Sequence, residues 1–234
     1  MDAENTPLAA GHFCWVDVAV TDPAVTHKFF TELFGWSRRV RPTEEAQAYS
    51  IMTAHGEHVA GVCNLVQGEA KVIDLGGKVL RSAIEIKTFG TMSVVEDPGG
   101  AIFALWQSAR GEHRKPRHHG MVSWYELVST DIDAASQFYT KLAGWTGDET
   151  TYDDAPFIVL KKEGREHAGL RPAKGAEPSQ WLIYFAVDAC DQTAARCTEI
   201  GGTVEVPPFE VDGLGRCAML CDPSGGYFGV FEYH

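Results

Sequence analysis

The fold of this chain is decided by two stretches that read almost as one: Trp15–Trp36, "WVDVAVTDPAVTHKFFTELFGW", and Trp124–Trp145, "WYELVSTDIDAASQFYTKLAGW". Trp15 matches Trp124, Asp17 matches Glu126, Asp22 matches Asp131 and Trp36 matches Trp145, at a constant offset of 109 without a gap. A match of that length marks an internal duplication. Each copy opens as an alternating strand, over residues 13–20 and 122–128. A helix follows in each, capped by Asp22 or Asp131, with Pro23 at the first position of the first helix. Val25, Phe29, Phe30 and Leu33 keep helical spacing, and Gly35 or Gly144 supplies the stop.

The duplication runs further. "DPGGAIFALW" from Asp97 is echoed by "DPSGGYFGVF" from Asp222, and "LGGKV" from Leu75 by "IGGTV" from Ile200, both at an offset of 125. The Asp-Pro-x-Gly sequence sets a reverse turn before a last strand. Short strands fill the middle of each half, "AYSIMTA" and "HVAGVCNLV" in one, "PFIVLKK" and "HAGLRP" in the other. The second half then starts again, with a strand "WLIYFAVD" and a helix "CDQTAARCTEIGG". Each half therefore carries two strand–helix–strands units, the halves spanning 1–109 and 120–234 around a basic linker at 110–119. The first half is short: Gly61 to Gly77 is 16 residues, against 33 from Gly169 to Gly202. One strand and the start of one helix are missing there, and "EAKVIDLGG" is left as a helix stub. Such a loss opens a sheet edge or a cavity unless a neighbouring segment or a partner chain covers it.

Bulk properties narrow the function. The chain has 234 residues, a net charge of -12 and a pI near 5.1. That balance disfavours nucleic acid or an anionic membrane surface as partner, since no basic patch exists to neutralise phosphates. No stretch approaches the roughly 18–20 apolar residues of a membrane span. The opening "MDAENTPLAAGH" lacks the layout of a secretory signal. Six cysteines without a CxxC pair or zinc spacing read as reduced thiols, and the expected location is the cytoplasm.

The tandem units, with "xVxDxxxxxxFYxxLxGW" at the start and "DPxGxxFxLxE" at the end, resemble the vicinal oxygen chelate superfamily, which includes glyoxalase I, extradiol dioxygenases and bleomycin-resistance proteins. The resemblance covers nearly the whole chain. It implies an α+β fold of tandem βαβββ modules forming two cup-shaped half-barrels, with one strand missing from the first. It also implies where a divalent ion sits in metal-dependent members: seven residues before the Asp that begins each helix, and seven after the Asp-Pro turn. Here those positions are Trp15, Trp124 and Trp181, and Ala104 and Gly229. Indole nitrogen is a donor and cannot ligate a cation as imidazole or carboxylate does. No metal or other cofactor is therefore expected.

Alternation along a strand puts Trp15 with Asp17, and Trp124 with Glu126, on one face. The resemblance makes that face the inside of the cup, where Trp181, Ile183, Phe185 and Gly229 extend an apolar wall. Such indoles are either core or a wall that stacks on a flat ligand. The carboxylates Asp17 and Glu126 are either proton-handling groups or partners of a backbone amide or of an Arg such as Arg171 or Arg216. His55 and His58 flank a Gly turn and read as an exposed hairpin; His118 and His119 fall in the linker. The expected function is a metal-free cup for a small aromatic or apolar metabolite, in a sequestering resistance-type binder or a metal-independent enzyme of secondary metabolism, as monomer or homodimer. The alternative is a metal-dependent lyase, isomerase or dioxygenase with relocated ligands.

Overall fold

The computed structural model describes residues 11–16, 22–40, 50–54, 57–58, 60–62, 68–86, 90–109 and 118–234. The first module runs β1 (Phe13–Trp15), α1 (Pro23–Phe34), β2 (Ser37–Val40), β3 (Ser50–Ala54), β4 (Glu57–His58) and β5 (Ala60–Val62). The second begins with α2 (Gly68–Asp74), followed by β6 (Lys78–Ile86), β7 (Gly90–Glu96) and β8 (Ile102–Ser108). The third comprises β9 (Val122–Ser129), α3 (Ile132–Ala143), β10 (Thr146–Tyr152), β11 (Ala155–Lys162) and β12 (Arg165–Pro172). The fourth comprises β13 (Gln180–Ala186), α4 (Cys190–Glu199), β14 (Thr203–Val211), β15 (Gly215–Cys221) and β16 (Tyr227–Tyr233). The fold is mixed α+β with open sheets. Among the described residues no strand stands between β5 and α2, and α2 is a seven-residue stub.

Local signals act where the spacing put them. The Asp22 carboxylate accepts from the amides of Ala24 and Val25 at 3.0 and 3.3 Å, and Asp131 accepts from Ala134 at 3.0 Å. Each satisfies helix-end amides that have no partner within the helix. Gly35 and Gly144 close α1 and α3 in the left-handed region, at φ 67° and 68°. Helix α4 differs: its cap is Ala189, without a side-chain hydrogen bond. At both Asp-Pro turns one carboxylate oxygen gathers the turn's amides: Asp97 takes Gly99 and Ala101, Asp222 takes Ser224 and Gly226, all at 2.7–2.9 Å.

The described residues gather into two compact units, each drawing on both halves of the chain. One combines residues up to 15, between 61 and 114, and between 124 and 182. Its strands run β10-β11-β12-β9, with β12 parallel to β9, and β6-β7-β8. Its core holds Leu127, Phe138, Tyr139, Trp145, Leu160 and Leu170 with Val72, Val95 and Leu105. The other unit combines residues between 16 and 60, 115 and 123, and 183 and 234. There β13-β16-β15-β14 is covered by α4, and α1 packs on α4. Phe30, Phe34, Trp36, Phe185 and Phe228 form its aromatic centre, with ring centroids 5.1–6.4 Å apart. Each such ring contributes about 1.5–3 kcal/mol by leaving water. Burial pushes the Cys190 and Cys197 thiols up to about 11, which keeps them protonated at neutral pH.

Candidate functional site

On β9 the odd-numbered residues Tyr125 and Leu127 pack toward α3 and the core. By alternation Trp124 and Glu126 face the other way, together, as expected. Both are half-buried, the Glu126 side chain only 12% exposed. Its carboxylate accepts from Nε of Arg171 at 2.9 Å. Arg171 in turn is clasped by Glu177, whose two oxygens accept from Nη1 and Nη2 at 2.8 Å each. The fork geometry of that second pair is the strongest form of such contact. It holds Arg171 charged, chiefly through the Glu177 hydrogen bonds working against desolvation, and holds the Glu177 carboxyl below its ordinary value. Arg171 is thus the partner of Glu126, and Arg216 instead pairs with Asp191 and Glu210.

The neighbouring strands shape the rest of this face. Gly169 lies in register with Glu126, and the Phe157 ring crosses directly over it: a Cβ on Gly169 would meet Phe157 Cζ at 2.2 Å. Tyr152 on β10 continues the row, 6.1 Å from Phe157. The result is an aromatic strip beside one carboxylate–guanidinium–carboxylate chain. Glu177 and Phe157 were not singled out from the sequence; Glu177 sits in a loop with no repeat partner, and Phe157 in a strand that reads as generically apolar.

The remaining expected residues are placed differently. Trp181 packs on the core side: its indole donates to the Tyr139 hydroxyl at 3.0 Å and meets Phe13 edge-on at 5.2 Å. Tyr139 itself donates to Asp97 Oδ2 at 3.0 Å. Burial first, then the Asp97 carboxylate, push this phenol well above its ordinary value, so it remains the donor. Ile183 is half-buried on the same side of β13, and Phe185 lies among Phe30, Phe34, Trp36 and Phe228. The wall expected from Trp181, Ile183 and Phe185 therefore does not continue the face of Trp124. The cause is the cap of α4: counted from Ala189 instead of Asp188, the residue in the place of Trp124 is Leu182. Leu182 and Tyr184 point the other way, and Tyr184, in register with Gly229, lays its ring over that glycine. Trp15 lies in β1 with its side chain outside the described residues, and Asp17 lies outside them altogether.

The resemblance implies an ion at these positions, and the residues present do not fit one there. Trp124 offers a donor only, Ala104 a methyl group, and a Cβ at Gly229 would already meet Tyr184 Cδ1 at 2.1 Å. Among the described residues no group of three His, Cys, Asp or Glu is arranged to hold a metal elsewhere.

Comparison with known proteins agrees with the fold. A family described as "Glyoxalase-like domain" matches residues 125–231. The putative glyoxylase CFP32 of Mycobacterium tuberculosis is 32% identical over 93% of this chain and 93% of its own length. The anthracycline biosynthesis protein DnrV of Streptomyces peucetius is 30% identical over 97% of this chain and 95% of its own. Among solved structures, the Mn(II)-bound glyoxalase from Novosphingobium aromaticivorans gives a TM-score of 0.69 at 14% identity, over 95% of this chain and 82% of that one. A variant of homoprotocatechuate 2,3-dioxygenase from B. fuscum gives 0.68 at 15% identity, over 98% and 73%. At such identities the structures speak for the fold alone. With relatives at this identity along nearly the whole length of a duplicated α+β chain, the protein belongs to the glyoxalase-like family of the vicinal oxygen chelate superfamily.

Proposed function

We propose that the protein binds a small, flat, aromatic or apolar molecule against the Trp124 face of β9, without a metal ion, as a binder or a metal-independent enzyme of secondary metabolism. The observation that carries this reading is the half-buried Trp124 indole, turned away from the core beside a carboxylate that Arg171 already neutralises. Rings stack on such a wall, and the Phe157–Tyr152 strip extends it. The pairing of Glu126 favours the binder: a carboxylate engaged by a guanidinium is less available to move a proton than one that stands alone. Full-length similarity to a protein named for anthracycline biosynthesis supports secondary metabolism as the setting.

Titration with planar aromatic compounds, read by tryptophan fluorescence, tests the proposal. Saturable quenching is expected, and Trp124→Ala is expected to remove it. No quenching across a varied panel, or quenching unchanged in Trp124→Ala, would overturn it. Glu126→Gln then separates the two forms, since retained binding with lost turnover identifies an enzyme and unchanged behaviour a binder. A stoichiometric, chelator-sensitive ion with associated activity would replace the metal-free reading altogether.

A further inference from the structure

A second face in the same unit has the character of a site. Strands β7 and β8 pair antiparallel without a bulge, so cross-strand partners share a side: Met92 with Trp106, Val94 with Ala104, Glu96 with Ile102. The opposite side carries Val95 and Leu105 into the core with Val72 of α2. The Trp106 side is therefore turned away from that core. Met92, Val94, Ala104 and Trp106 are half-buried on it, and Ile102 is 56% exposed at one end. The one charged residue that β7 and β8 place on it, Glu96, is paired with Lys78 of β6. In the fourth module β16, the counterpart of β8, is flanked by β13; among the described residues the second module has no such strand.

The Nε1 atom of Trp106 is buried and has no hydrogen-bond partner among the described residues. More than about nine in ten buried polar groups in native proteins are paired, so an orphan asks for a reason. An indole N–H donates and does not accept, which makes the missing partner an acceptor. Around it lie a thioether, a valine and an alanine, surfaces suited to the plane of a ring. On the neighbouring β6, Lys78 stands opposite Glu96 and Arg81 opposite Val94, so the edge of this face is polar while its centre is apolar.

We infer that the Met92–Val94–Ala104–Trp106 face is a second binding site, for a flat aromatic ketone or quinone whose carbonyl oxygen accepts from Trp106 Nε1. It lies on different strands from the Trp124 face and does not rest on the function proposed for that face.

The matched pair 9-fluorenone and fluorene tests it, since the two share one three-ring plane and differ by the carbonyl. In protein carrying 15N-labelled tryptophan, fluorenone is expected to shift the Trp106 indole N–H resonance downfield and fluorene to leave it in place. Fluorenone is expected to bind about tenfold more tightly, the contribution of one hydrogen bond. Trp106→Phe keeps an apolar ring without the donor and is expected to abolish that preference. Equal binding of the two compounds by the native protein, an unmoved Trp106 resonance, or a preference that survives Trp106→Phe would each overturn the inference. Trp124→Ala is expected to leave the preference intact, so each site stands or falls alone.

Discussion

The indole of Trp36 donates to the carbonyl oxygen of Gly120 at 2.9 Å, and both residues are buried. Exactly 109 positions on, Trp145 donates to Gly11 at 2.6 Å. The tryptophan that follows the first helix of each half is thus tied to the glycine that leads into the other. Both glycines have positive φ, 73° and 85°, and a Cβ at Gly120 would meet Trp36 Nε1 at 2.8 Å. Trp36→Phe is expected to lower stability by about 1–2 kcal/mol, through the lost bond and the stranded carbonyl. Gly120→Ala is expected to cost about 1–3 kcal/mol, combining strain with the clash. Urea unfolding measures both, and variants as stable as the parent would contradict the assignment.

The two Asp-Pro turns make a natural experiment. Asp97 Oδ2 accepts from Tyr139, whereas Asp222 Oδ2 is buried with no partner among the described residues. The residue that corresponds to Tyr139 in the first repeat is Phe30, and α1 reaches the Asp222 turn through the Thr26–Ser224 hydroxyl pair at 2.8 Å. Phe30→Tyr is expected to raise stability by about 0.5–1.5 kcal/mol by supplying the missing donor. Tyr139→Phe is expected to lower it by about 1–3 kcal/mol, because Asp97 and Trp181 both lose their partner. Thermal unfolding of the pair, with changes of opposite sign, checks the idea.

Arg171 sets an acid dependence. Its hydrogen bonds hold the Glu177 carboxyl below the ordinary 4.5. A carboxyl lowered in the folded state contributes stability that is present above its unfolded value and is lost as pH falls through the folded one. Arg171→Met leaves Glu126 and Glu177 half-buried without a countercharge, at an expected cost of about 2–4 kcal/mol at neutral pH. The same variant is expected to lose less stability than the parent below pH 4.5, since the proton then relieves repulsion in place of breaking a pair. Parallel curves of stability against pH would contradict this account.

Gly229 and Tyr184 are coupled by shape. Gly229→Ala is expected to destabilise by about 1–3 kcal/mol, because the added methyl falls within the Tyr184 ring. In a Tyr184→Ala background the same change is expected to cost much less. A double-mutant cycle with no coupling energy would refute the relationship.

Much of the fold was legible because its signals are local. Asp22, Asp131, Gly35 and Gly144 end their helices where spacing alone placed them, and the short spacing between Gly61 and Gly77 agrees with the seven-residue α2. The candidate site was less so. Trp124 and Glu126 share a face because alternation depends on neighbours only, and Arg171 was already named as a possible partner. Trp181 and Phe185 were misaligned by a single residue, since Asp188 looks like a cap while Ala189 performs that task. The Asp97–Tyr139–Trp181 chain joins segments about forty residues apart on either side of Tyr139. No periodicity in the sequence reports a meeting of that kind.

Since each compact unit is assembled from pieces lying on both sides of the basic linker, a protease nick there would not yield two self-sufficient fragments. Once unfolded, the nicked chain would have to regain its structure by bimolecular recombination, so recovery would rise with concentration while that of the intact chain would not. What began as a duplication has become an obligate partnership, in which either half serves as the template on which the other completes itself.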